Sequence, residues 1–243
     1  MGIFQNSLMG AAASAAAGGE TAYQLWAWGY CARKPVPCVY PYNNPPYRLE
    51  AEPGDWLKVV VGAKGGHAIN DSGELFGWGY GAKGRIGVGN TTTYSGNGTP
   101  PYVQIGTDTD WAKVGDTAYS ITAIKTDGTL WSWGENTNGR LGNGNTTDIC
   151  SPVQVGSLTD WASVSYGPSR ADAMGAIKTD GTLWTWGNGS YGAGGHGNTT
   201  NYSSPVQVGA LTDWATLTGG EGAFFVALKT DGTMWSWGGW VKR

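Results

Sequence analysis

This sequence of 243 residues predicts an all-β chain built from a repeat of about fifty residues, with four short strands in each period. Three observations carry the prediction. The composition holds 42 glycines and 14 tryptophans with only 14% charged residues, a tryptophan marker returns at near-constant intervals, and an Asp-Gly pair recurs between short alternating runs. Glycine supplies the positive φ of tight turns, and tryptophan supplies a large area to bury. Four-stranded sheets repeated radially make a β-propeller. The count gives four full repeats plus one leading strand, hence four to five blades, closed or incomplete.

The marker is W-x-W-G. Its second tryptophan falls at Trp28, Trp78 (in the variant FGWG), Trp133, Trp186 and Trp237, in steps of 50, 55, 53 and 51 residues. A second marker, Asp-Trp, stands at Asp55-Trp56, Asp110-Trp111, Asp160-Trp161 and Asp213-Trp214. A third, Pro-x-x-x-x-Gly, appears as PYVQIG at 101–106 and SPVQVG at 151–156 and 204–209. The two tryptophan markers account for every tryptophan except Trp240, so the indoles are architecture first. The leading strand is expected at 22–29. In the third period strands are expected at 153–155, 161–165, 173–178 and 183–186. Thr179-Asp180-Gly181 joins the last two, an Asp-Gly hairpin signal. Side chains alternate along a strand, so both tryptophans of W-x-W share one face. Burying about 200 Å² at ~25 cal/mol/Å² gives each up to about 5 kcal/mol before entropy. Trp28, Trp78, Trp133, Trp186 and Trp237 are therefore expected to be buried and structural.

The stretch WSWGENTNGRLGNGNTTDICSPVQVG resembles the regulator-of-chromosome-condensation repeat, whose core reads roughly W-G-x-N-x-x-G-x-L-G. The fit is best from Trp133-Gly134-Glu135-Asn136 to Gly139-Arg140-Leu141-Gly142. Trp78-Gly79 with Gly84-Arg85-Ile86-Gly87 is a looser copy. The resemblance covers about 22–238 and implies propeller blades of four antiparallel strands. The best-known members close with seven blades, more than this chain contains. Of the Gly-x-x-His that often precedes the third strand, only His67 remains. The nucleotide exchange of the eukaryotic namesake depends on a projecting wedge, for which these periods leave little room.

Residues 1–21 stand outside the repeat and are expected to form an N-terminal docking or anchor segment, with 22–243 as the propeller. Ile3, Phe4, Leu8 and Met9 precede an alanine run readable as a short helix ended by Gly18-Gly19. Arg33 is the first basic residue, so a secretory n-region is lacking. The opening MGIFQNSLMGAAASAAAGG is similar to the start of accessory virion proteins from marine tailed phages. That resemblance implies attachment to other virion proteins through Ile3, Phe4, Leu8 and Met9.

Catalytic, cofactor and metal sites are not expected. Eight of the twelve aspartates occupy repeat positions, four before tryptophan and four in hairpin turns. There, aspartate accepts local backbone hydrogen bonds. No spacing selects a pair of acids for glycoside cleavage. Two histidines and three cysteines give no zinc spacing. Cys31 and Cys38 are close enough in sequence to pair in an oxidising medium or to stay reduced. A net charge of −3 argues against a nucleic-acid surface, and no apolar run is long enough for a membrane-spanning helix.

The repeats differ most in the first loop, YCARKPVPCVYPYNNPPYRLE. It gathers Arg33, Lys34, Tyr40, Tyr42 and Tyr47 among prolines, residue types favoured at recognition surfaces. Packing over a propeller edge explains them equally well. The expectation is a non-enzymatic structural or display protein of a phage virion, in capsid decoration or in a tail or fibre. It would be made in the host cytoplasm, carried on the particle, and oligomeric or part of a larger assembly. Its contacts would be other virion proteins and a host-surface glycan or protein. The alternatives are a secreted bacterial adhesion or interaction module and, behind it, a polysaccharide-cleaving enzyme.

Overall fold

A computed structural model describes residues 10–15, 21–27, 47–48, 55–62, 65–94, 102–117, 119–165, 173–220 and 223–239. These form five antiparallel sheets in chain order, each a meander. The first holds β1 (Gly10–Ala15), β2 (Thr21–Ala27) and β3 (Tyr47–Arg48). The second holds β4 (Trp56–Gly62), β5 (Gly65–Asn70), β6 (Leu75–Gly79) and β7 (Val103–Gln104). The third runs through β8 (Trp111–Asp116), β9 (Ser120–Lys125), β10 (Leu130–Gly134) and β11 (Ile149–Gln154). The fourth comprises β12 (Trp161–Val164), β13 (Ala173–Lys178), β14 (Leu183–Gly187) and β15 (Tyr202–Gln207). The fifth has β16 (Trp214–Gly219), β17 (Ala223–Lys229) and β18 (Met234–Gly239).

The all-β propeller class and the four strands expected in the third period are present. The sheets, however, divide the repeat differently from marker-to-marker counting. The Pro-Val-Gln strand closes the sheet before it: β11 pairs with β10, with Trp131 opposite Gln154, and leaves β12 to open the next. The described residues therefore make three four-stranded sheets and two three-stranded ones. The leading strand is β2, and it is not alone. The alanine run read as a helix is β1, paired with β2 from Gly10↔Trp26 to Ala15↔Thr21. Alanine's helix preference amounts to only a few tenths of a kcal/mol per residue. Six backbone positions beside an open strand can satisfy their hydrogen bonds by pairing instead.

Asp-Trp strands lie innermost, β4 packing on β8 and β8 on β12, while the Val-Gln strands form the outer edge. The middle strands β5, β9 and β13 are buried at every position, because neighbouring sheets cover both of their faces. β17 instead alternates between buried and part-exposed from Ala223 to Ala227, as a strand does when only one face is packed. Packed interfaces join each sheet to the next in sequence, and none joins the fifth to the first among the described residues. The described residues of the sheets follow one another as an arc.

Candidate functional site

Two recurrent constellations and one local cluster characterise the described sheets. The first lies at the hairpin end. In Lys-Thr-Asp-Gly-Thr-x-Trp, the aspartate turns the chain: Asp127 Oδ1 accepts from the Thr129 amide and hydroxyl, and that hydroxyl accepts from Trp131 Nε1 at 2.8 Å. Asp180 and Asp231 bind Thr182 and Thr233 in the same way. These bonds favour the charged form and hold all three carboxyls below the usual range. The lysine of the motif lies over two indoles and beside the Asp-Trp aspartate. Lys125 Nζ is 4.9 Å from the Trp111 ring, 4.8 Å from Trp131 and 3.0 Å from Asp110. Lys178 repeats this with Trp161, Trp184 and Asp160, and Lys229 with Trp214, Trp235 and Asp213. Burial pulls the Lys125 ammonium down, but hydrogen bonds and attraction from Asp108 and Asp110 outweigh it and raise its pKa.

The second constellation joins the sheets. In the third, fourth and fifth sheets the second indole of W-x-W-G reaches the turn of the preceding sheet and donates to a backbone carbonyl. Trp133 donates to Arg85 at 3.0 Å, Trp186 to Arg140 at 2.8 Å and Trp237 to Ala193 at 2.9 Å. The ring lies against the glycine two residues beyond that carbonyl. A Cβ on Gly142 would stand 2.8 Å from Trp186 Nε1, where the backbone φ is +73°. The motif thus needs glycine both for its turn and for the approach of the next sheet's tryptophan.

The third is a buried polar cluster at the seam of the second and third sheets. His67 on β5, Arg85 after the turn at Ala82–Gly84 and Asp116 at the end of β8 are all shielded from solvent. Arg85 Nη2 lies 3.2 Å from both Asp116 oxygens, and His67 Nδ1 lies 3.4 Å from Oδ2. Arg85 Nε and Nη1 and His67 Nε2 have no hydrogen-bond partner among the described residues. The pair spans the second and third sheets, and the His67 ring meets Trp133 edge-on at 5.9 Å.

Shallow grooves of about 330 and 370 Å³ lie at the second–third and third–fourth seams, each with a single acid in its lining, Asp71 and Asp127 respectively. Among the described residues no three His, Cys, Asp or Glu side chains converge as metal ligands.

Of the tryptophans named from the sequence, Trp78, Trp133 and Trp186 are buried. Trp237 is only partly so, because its sheet has no neighbour behind it and no fourth strand among the described residues. Tyr47 lies on β3, opposite Ala27. Ile3, Phe4, Leu8, Met9, Trp28, Cys31, Arg33, Lys34, Cys38, Tyr40, Tyr42 and Trp240 fall outside the described residues. Sequence reasoning missed the lysines of the hairpin motif. Their recurrence between two tryptophan markers was the available signal. It also missed the His67–Arg85–Asp116 cluster, whose members are remote in sequence and do not recur together.

Repeated antiparallel sheets, joined tryptophan to turn, define an RCC1-like β-propeller. The regulator of chromosome condensation (RCC1) repeat matches residues 127–169 and 180–223 of the chain. Human E3 ubiquitin-protein ligase HERC2 is 31% identical over 195 residues, 75% of this chain and 4% of HERC2. The ultraviolet-B receptor UVR8 of Arabidopsis thaliana is 30% identical over 172 residues, 67% of this chain and 36% of the receptor. The chain thus spans less than half the length of these curated relatives. Prp20p from Saccharomyces cerevisiae superposes with a TM-score of 0.75 at 17% identity, over 90% of this chain and 55% of that one. Human WBSCR16 gives 0.74 at 19%, over 90% and 59%.

Proposed function

We propose that this chain is a non-enzymatic interaction and display module. The observation that carries this reading is where its charged and aromatic groups are spent. The recurrent Asp, Lys and Trp side chains bind one another within and between sheets, so the framework is fixed by structure and recognition falls to the parts that vary. The solved Prp20p is described by its binding to Gsp1p and histones, which supports protein partners for a propeller of this kind. The finer reading is a virion component, exposed on the particle and made in the host cytoplasm. It is supported by the resemblance of residues 1–19 to phage accessory virion proteins. Ile3, Phe4, Leu8 and Met9 then dock into a capsid or tail protein, and Arg33, Lys34, Tyr40, Tyr42 and Tyr47 face a host-surface glycan or protein. Deleting residues 1–9, which lie before β1, tests it: incorporation into the parent particle should be lost while the unfolding transition is unchanged. Normal incorporation of the truncated chain refutes the docking role.

A further inference from the structure

The two seam grooves lie side by side where the hairpin turn of one sheet meets the opening of the next inner strand. Trp111 donates its amide to the Gly73 carbonyl at 3.1 Å, and Trp161 to the Gly128 carbonyl at 3.2 Å, so the walls of each groove are fixed to one another. Their linings correspond position by position. Lys58 lies opposite Ile69 in the second sheet and Lys113 opposite Ile124 in the third, and each pair lines its own groove. Thr109 and Trp111 of the first groove are matched by Thr159 and Trp161 of the second. Ala112 and Thr126 line both, so the cavities share a wall and form one track. At about 330 and 370 Å³ each falls within the size range of small-molecule sites, about 300–1,000 Å³.

Each groove offers the same polar set around an apolar floor: an exposed lysine, Lys58 or Lys113, one carboxylate, Asp71 or Asp127, and threonine hydroxyls. Lys113 Nζ is anchored across its seam on the Ala162 carbonyl. Lys125, which also reaches the second groove, is already held by Asp108 and Asp110. Trp111 and Trp161 are each 3% exposed, and neither indole Nε1 has a hydrogen-bond partner among the described residues. Donors and acceptors mixed in this way suit a ligand dense in hydroxyl groups, each of which both donates and accepts. We propose that the track binds a linear polysaccharide, with successive sugar units in the two grooves. Equivalent subsites one sheet apart match a ligand that repeats, whereas a polypeptide changes its side chain from one residue to the next. The lysines donate to sugar oxygens, Asp71 and Asp127 accept from hydroxyl groups, and the apolar faces of the sugars lie on Leu57 and Ala112.

The inference is independent of the virion reading, since the track uses neither residues 1–9 nor the first loop and the isolated chain suffices to test it. The probes are linear hexaoses of the cello, malto, laminari, manno, xylo and chito series, titrated calorimetrically onto the full chain. At least one should bind saturably, and about tenfold or more tightly than its own disaccharide, because it occupies both grooves. Thr126→Trp places a bulky side chain on the exposed shared wall and should abolish binding. Thr146→Trp, equally exposed and outside both linings, should leave binding unchanged. Lys58→Ala alters only an exposed side chain and should weaken the hexaose several-fold. Failure of all six hexaoses to bind overturns the proposal, as do equal affinities for hexaose and disaccharide or binding undisturbed by Thr126→Trp. Equal binding of an unfolded casein digest overturns it too, by giving the track to polypeptide.

Discussion

Trp186 Nε1 donates to the Arg140 carbonyl, 2.8 Å away and 46 residues earlier in the chain, and so ties the fourth sheet to the turn of the third. The same bond joins Trp133 to Arg85. The tryptophan that gives the repeat its marker is thus both a core residue of its own sheet and a peg in the sheet before. Trp186→Ala should lower stability by roughly 3–5 kcal/mol in urea unfolding. Trp186→Phe keeps most of the buried area but loses the bond, so it should cost less; a loss below about 1 kcal/mol in the alanine variant would show the ring to be dispensable.

Glycine at the receiving position can be separated from glycine in an ordinary turn. Gly142 and Gly156 both have positive φ, +73° and +66°, but a Cβ has nothing within 4 Å at Gly156 and would meet the Trp186 ring at Gly142. Gly156→Ala should cost only the conformational penalty, about 1–2 kcal/mol. Gly142→Ala should cost about 1–3 kcal/mol more. Equal losses in thermal unfolding would mean that the ring moves aside freely.

The cluster between the second and third sheets should show strong non-additivity. Asp116→Asn leaves Arg85 buried without a charge partner and should destabilise by roughly 3–5 kcal/mol. Adding Arg85→Met should recover a large part of that loss. A double-mutant cycle in denaturant reads the coupling, and additive losses would refute it.

Acid should weaken the fourth sheet through His196. Its Nε2 lies 2.9 Å from the Thr185 hydroxyl, which itself donates to the Gly194 carbonyl and so accepts from the ring. Burial lowers the pKa of the imidazole, with Thr185 opposing. A depressed folded value means that the contribution to stability is present above the unfolded value of about 6.5 and is lost as pH falls through the folded one. The turn aspartates add the same sign further down, below the ordinary carboxylate range. Chemical unfolding between about pH 7 and 5 should show stability falling in the parent and flatter in His196→Gln. Parallel curves would exclude the histidine.

How much of this could be read in the chain beforehand depends on the range of the interaction. The hairpin at Thr179-Asp180-Gly181 and the strands on either side of it are local, and alternation plus one turn signal placed them. The W-x-W strands were legible because the marker recurs, not because any single copy is distinctive. β1 was misread because six small residues carry no alternation, so local preference pointed to a helix while the open edge of β2 decided the matter. The Tyr47–Arg48 strand lacked the Val-Gln of its counterparts and went unnoticed. The His67–Arg85–Asp116 cluster depends on two sheets closing over it, and no spacing within either sheet announces that.

Since the third, fourth and fifth sheets are each pegged to their predecessor, this part of the arc behaves mechanically as a string of linked units. Pulled by its two ends, it should part at one seam at a time. The fifth sheet goes first, because Trp237, its indole peg into the fourth, is only partly covered. Each rupture would release about fifty residues, or roughly 17 nm of slack. A force trace would then read the repeat as a regular sawtooth, its smallest tooth marking the sheet whose indole peg is least covered.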